Sequence, residues 1–163
     1  MTLIVRYTND DLKKMHKNNI TKLDDIYYRC YNNDPEYLEW NFTKQISQEF
    51  DPTHISADIR NKSEYLVYYK DYEIAGFVVF HIDNEDIYIL LLCVDSTFRN
   101  QKIGYNMLDY IVNLNNNKTI LEVWNWNQDA IRFYEKFGFK HVRSYFDGSL
   151  VDVFEYIKNH EDI

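Results

Sequence analysis

The sequence predicts a mixed α/β fold, and three observations predict it. Three segments rich in β-branched and aromatic residues, Tyr65–Tyr69, Ile74–Ile82 and Ile87–Val94, follow one another across short turns. Segments with apolar residues at helical spacing stand before and after them. Two further strand-like segments close the chain around the turn pair Asp147-Gly148.

The elements follow in order. Leu3–Tyr7 reads as an opening strand. Ile20, Leu23, Ile26, Tyr27, Cys30 and Tyr31 recur at helical spacing. Asp34-Pro35-Glu36 is an N-cap followed by proline at the first helical position, with Leu38, Phe42 and Ile46 along one face of that second helix. Residues 51–63 read as a loop. The three strands come next, with turn chemistry at Lys70-Asp71 and Asp83-Asn84-Glu85, and two short turns make them an antiparallel meander. Ile103, Met107, Ile111 and Leu114 mark a helix ending in the run Asn115–Asn117. A strand around Leu121 and Val123, a helix from Asn127 to the stop at Gly138, and strands around Phe139–Phe146 and Leu150–Ile157 complete the order β-α-α-β-β-β-α-β-α-β-β. That order implies a mixed sheet with helices on its faces. No repeat, linker or composition break interrupts it, so residues 1–163 are expected to form a single domain.

Composition narrows the function. With 45% hydrophobic and 17% aromatic residues, the 163-residue chain can bury a core. A net charge of -8 argues against a wide nucleic-acid-binding face, while favouring cationic acceptors over distance. No apolar run is long enough to span a bilayer and the N-terminus lacks a signal-peptide layout, so neither a membrane nor a nucleic-acid partner is expected. Cys30 and Cys93 lack metal-ligand or redox spacing; no metal is expected, and two reduced thiols suit the cytoplasm.

The informative stretch is Leu121–Phe139, LEVWNWNQDAIRFYEKFGF, a strand leading into an amphipathic helix with Asn127 at its start and Tyr134 two turns on. Before it, the strand Ile87–Val94 runs into Asp95–Gly104, which is expected to open a helix near Arg99. A helix N-terminus presents unpaired N–H groups and partial positive charge to a diphosphate, and Arg99 and Lys102 add cations. The pattern Leu-x-Val-x-x-x-Asn-x-x-Ala-x-x-x-Tyr-x-x-x-Gly-Phe resembles the acetyl-CoA-binding motif of the GNAT superfamily of N-acetyltransferases, and Arg99–Gly104 resembles its Arg/Gln-x-x-Gly-x-Gly/Ala pattern. Lys102 departs from it, standing where the family has its first glycine. The element order is also that of the GNAT fold, so the resemblance covers nearly the whole chain.

The resemblance implies acetyl transfer from acetyl-CoA to a primary amine, on a small molecule or a peptide, by direct attack and without an acyl-enzyme. It implies a cofactor site at Leu92, Cys93, Val94, Arg99, Asn100, Gln101, Lys102, Ile103, Gly104, Tyr105, Asn127 and Tyr134. The backbone of Leu92 and Val94 would pair with the pantetheine arm, an N–H near Leu92 would polarise the thioester carbonyl, and Cys93 reads as a core residue. Tyr134 resembles the general acid to the departing thiolate. A phenol near 10 and a thiol near 8.5 make that transfer uphill by about 2 kcal/mol. An amine with pKa about 10.4 is neutral only about once in a few thousand at pH 7, a handicap of roughly 4–5 kcal/mol that a base relieves. Glu122 is the first candidate, on the strand face opposite Leu121 and Val123; Asp86 and Tyr88 are rivals, and His81 reads as structural. Tyr27, Tyr28, Tyr31 and Trp40 are either core or an aromatic surface for a cation, and Trp124 and Trp126 are equally open. A CoA-binding regulatory or sensor domain without catalysis is the alternative, favoured by Lys102 alone; a monomer and a homodimer are both compatible.

Overall fold

The computed structural model describes residues 1–31, 42–43, 62–114 and 117–158. Seven strands form one mixed sheet in the order β1-β2-β3-β4-β5-β7-β6. They are β1 (Thr2–Tyr7), β2 (Glu64–Lys70), β3 (Glu73–Asp83), β4 (Asp86–Val94), β5 (Lys118–Trp124), β6 (Lys140–Phe146) and β7 (Leu150–Ile157). The helices are α1 (Asn9–Lys13), α2 (Lys17–Tyr31), α3 (Ile103–Val112) and α4 (Gln128–Phe137). Expected helix positions Asp34–Leu38 and Ile46 lie outside the described residues, although Phe42 and Thr43 are helical.

The chain divides into two compact units, Met1–His81 with Leu91–Met107, and Ile82–Leu90 with Leu108–Ile163. In the first, β2 pairs antiparallel with β1, from Thr2 opposite Lys70 to Tyr7 opposite Tyr65, and with β3 across a bulge at Tyr68/Tyr69. The β2–β3 turn lies at Asp71-Tyr72, one residue later than expected. Both residues have positive φ, the pairing that hairpin twist demands of a two-residue turn. Ile74–His81 is buried throughout, as a central strand requires, and Gly76 is obligatory there because a Cβ would meet the Cys93 carbonyl oxygen at 2.7 Å. In α2, Ile20, Leu23, Ile26 and Tyr27 form the buried face. Helix α1 is absent from the sequence reading, yet Thr8 and Asp11 cap it reciprocally, a signal legible in Thr-Asn-Asp-Asp. A shallow groove beside β1 and α1 is lined by Val5, Tyr7, Asp11 and His16 among others.

In the second unit, β4 runs parallel to β5 through Ile87, Ile89 opposite Thr119 and Leu121, and β5 runs antiparallel to β7 from Lys118 opposite Ile157 to Trp124 opposite Val151. β6 closes the sheet against β7 with a bulge at His141/Arg143. Gly138 ends α4 at φ +126° with its N–H on the Tyr134 and Glu135 carbonyls, and Gly148 turns β6 into β7 at φ +70°.

Candidate active site

Strand β4 alternates strictly: Ile87, Ile89, Leu91 and Cys93 are buried, while Asp86, Tyr88, Leu90, Leu92 and Val94 are half-exposed on the other face. At its end the chain turns through Asp95. The Asp95 N–H bonds the Ala75 carbonyl at 2.8 Å, and the carboxylate, fully buried, caps the short 3₁₀ turn Ser96–Phe98 through the Thr97 N–H. It also pairs with Lys22 at 2.8 Å and Arg29 at 3.2 Å. Burial pushes its pKa up; the Lys22 ammonium, the Thr97 N–H and the Arg29 guanidinium outweigh that and hold it below the ordinary carboxylate value.

The helix expected near Arg99 begins at Ile103 instead, because the 3₁₀ turn and residues 99–102 intervene. Arg99, Asn100, Gln101 and Lys102 are exposed. Asn100 (φ +63°) and Lys102 (φ +60°) are both left-handed, so the lysine adopts the backbone for which glycine is the usual residue. The Lys102 carbonyl accepts the first helical bond, from Asn106 at 2.9 Å. The N–H groups of Ile103, Gly104 and Tyr105 therefore lead the helix, and its first turn holds no acidic residue. Gly104 is the second helical residue, Ile103 is buried and Tyr105 is exposed. Lys70 reaches this turn and bonds the Gln101 side chain.

Upstream, the Leu92 backbone meets a side chain: its N–H donates to the Tyr31 hydroxyl, which in turn donates to the Leu92 carbonyl, both at 3.4 Å. The Cys30 thiol donates to the Val94 carbonyl at 3.8 Å. The neighbouring Cys93 thiol, with Arg99, lowers the Cys30 pKa against burial, whereas burial pushes Cys93 well up. Of the six aromatic residues left open by sequence, Tyr27 is core, Tyr28 and Trp126 are exposed, Tyr31 is half-buried on Leu92, Trp124 is half-buried, and Trp40 lies outside the described residues.

In the second unit, Asn127 caps α4, its side chain accepting from the Ala130 N–H at 3.3 Å. Tyr134 stands two turns on, half-buried, its ring 5.3 Å from Phe133 and 5.7 Å from Phe139. Glu122 is exposed on β5, and Oε2 accepts a 2.7 Å bond from the Tyr145 hydroxyl. Burial, then the Glu122 carboxylate, pushes the Tyr145 pKa up to about 12, so the phenol stays a donor at neutral pH. Sequence reasoning missed Tyr145, and only the β5-β7-β6 pairing makes the two neighbours. Asp86 Oδ1 is buried and meets no hydrogen-bond partner among the described residues. No helix among the described residues is long and apolar enough to cross a membrane.

Comparison with known proteins bears on the fold. The ribosomal-protein-S18-alanine N-acetyltransferase from Escherichia coli is 14% identical, with a TM-score of 0.68 over 100% of this chain and 99% of that one. The PaiA N-acetyltransferase from Thermoplasma acidophilum in complex with coenzyme A is 19% identical, with a TM-score of 0.66 over 97% and 99%. An acetyltransferase from Thermus thermophilus is 13% identical, with a TM-score of 0.69 over 96% of each. At such identities the likeness establishes the fold. The sequence model described as the acetyltransferase (GNAT) family matches residues 20–139, and the chain belongs to that family.

Proposed function

We propose that the chain works as a single N-acetyltransferase domain, moving the acetyl group of acetyl-CoA to a primary amine of a small molecule or peptide. The observation that carries this reading is the turn before α3. Two left-handed residues, two cations and the leading N–H groups of a helix make an electropositive loop suited to a diphosphate. Lys102 adopts the left-handed backbone for which glycine is the usual residue, which is compatible with CoA binding in either a catalytic domain or a non-catalytic sensor.

In this reading Arg99, Asn100, Gln101, Lys102, Ile103, Gly104 and Tyr105 hold the diphosphate, and Leu92, Cys93 and Val94 offer backbone to the pantetheine arm. Asn127 orders the start of α4, and Tyr134 gives a proton or a hydrogen bond to the leaving thiolate. Glu122, oriented by Tyr145, accepts the amine proton directly or through water, with Asp86 and Tyr88 as the other candidates. A cytoplasmic location suits the two free thiols. The acidic chain draws cationic acceptors.

Release of CoA thiol in the presence of a panel of amines tests the reading; no release with any amine, despite CoA binding, would reject it. Tyr134→Phe is expected to slow thiol release at least tenfold with little change in CoA affinity. Glu122→Gln is expected to lower the rate with Tyr134 intact, and an unchanged rate moves the base role to Asp86 or Tyr88.

A further inference from the structure

We propose that Tyr31 is a placeholder on β4: its hydroxyl occupies the hydrogen-bonding positions of the Leu92 backbone and must leave when an amide- or thioester-bearing ligand pairs there. The inference rests on the acetyl-CoA reading above. A strand backbone normally finds its partners in a neighbouring strand. At Leu92 one phenolic oxygen serves both the N–H and the carbonyl, each at 3.4 Å. These are long bonds for the pair involved, and a ligand carbonyl accepting from the N–H would take the place of the phenol oxygen. Two oxygens cannot share that position. The ring turns about its own side-chain torsions, so it can swing without breaking the helix that carries it. The ring also contacts Tyr27 at 5.2 Å, which gives it a packed resting place. The hydroxyl thereby keeps a backbone edge satisfied while no ligand is present, and it competes with the ligand when one arrives.

The test is calorimetric titration of CoA into the wild-type protein and Tyr31→Phe, with thermal unfolding to establish that the variant is folded. Phenylalanine keeps the ring and removes the competing oxygen, so CoA is expected to bind about threefold to tenfold more tightly. Equal or weaker binding by the variant overturns the placeholder alone. Failure of both proteins to bind CoA overturns the cofactor reading and the placeholder with it. As a second measurement, 3-fluorotyrosine placed at position 31 is expected to shift its fluorine resonance on saturation with CoA; an unmoved resonance in a protein that binds CoA also overturns the proposal.

Discussion

Two strand-to-helix connections of this protein, β4 to α3 and β5 to α4, solve the same problem in opposite ways. Between β5 and α4, Asn127 caps the helix with its own side chain and Asp129 stands in the first turn. Between β4 and α3, the residue before the helix is a left-handed lysine, whose side chain has no oxygen to cap with, and the first turn is free of carboxylates. A capped, acidic start offsets the helix's positive end with the protein's own oxygens, whereas the start beside Arg99 and Lys102 gathers further positive charge there. Similar topology therefore gives one helix start neutralised by its own residues and one that stays electropositive.

The largest expected effect is at Asp95, which anchors the β4–α3 connection. Asp95→Ala strands Lys22 and Arg29 and removes the cap of the 3₁₀ turn, and is expected to cost about 2–3 kcal/mol in denaturant unfolding, less than a fully buried pair because both cations are partly exposed. Its pH dependence has a definite sign. The folded pKa is depressed, so the contribution is complete above the ordinary carboxylate pKa and is lost as pH falls through the lower folded value. The stability gap between wild type and Asp95→Asn is therefore expected to narrow below about pH 4.

Next, Asn127→Ala is expected to cost about 1 kcal/mol of stability through the lost cap. A loss of CoA affinity beyond that would show that Asn127 also contacts the cofactor. The smallest effect is at Lys102. Lys102→Gly relieves a left-handed side chain and is expected to leave stability within about 1 kcal/mol of wild type, with the sign set by unfolded-chain entropy. A large loss of CoA affinity in that variant would show that the ammonium grips phosphate; unchanged affinity would leave only the backbone in that role.

Much of this was legible in the chain. Strand and helix periods, the turn at Asn84-Glu85, the Asn127 cap and the Gly138 stop are local matters, fixed by neighbouring residues; the expected strands and the helices around Leu23, Met107 and Tyr134 recur in order, whereas α1 was not expected and the helix expected from Asp34 lies outside the described residues. The helix start was misplaced from Ile103 to near Arg99 because Asp95 and Thr97 close a 3₁₀ turn first, and the Asp-Ser-Thr signal for it went unused.

The sequence by itself determined the strands and the amphipathic helices, since these depend on spacing and on side-chain type, while the alternating burial along the wholly apolar run Ile87–Val94 came from the structure. Tertiary structure alone decided that Asp95 gathers Lys22 and Arg29, that Tyr145 holds Glu122, and that Tyr31 rests on Leu92. Those contacts join residues 23 to 73 positions apart, and chain spacing carries no information about which distant side chains a sheet will bring within hydrogen-bonding reach.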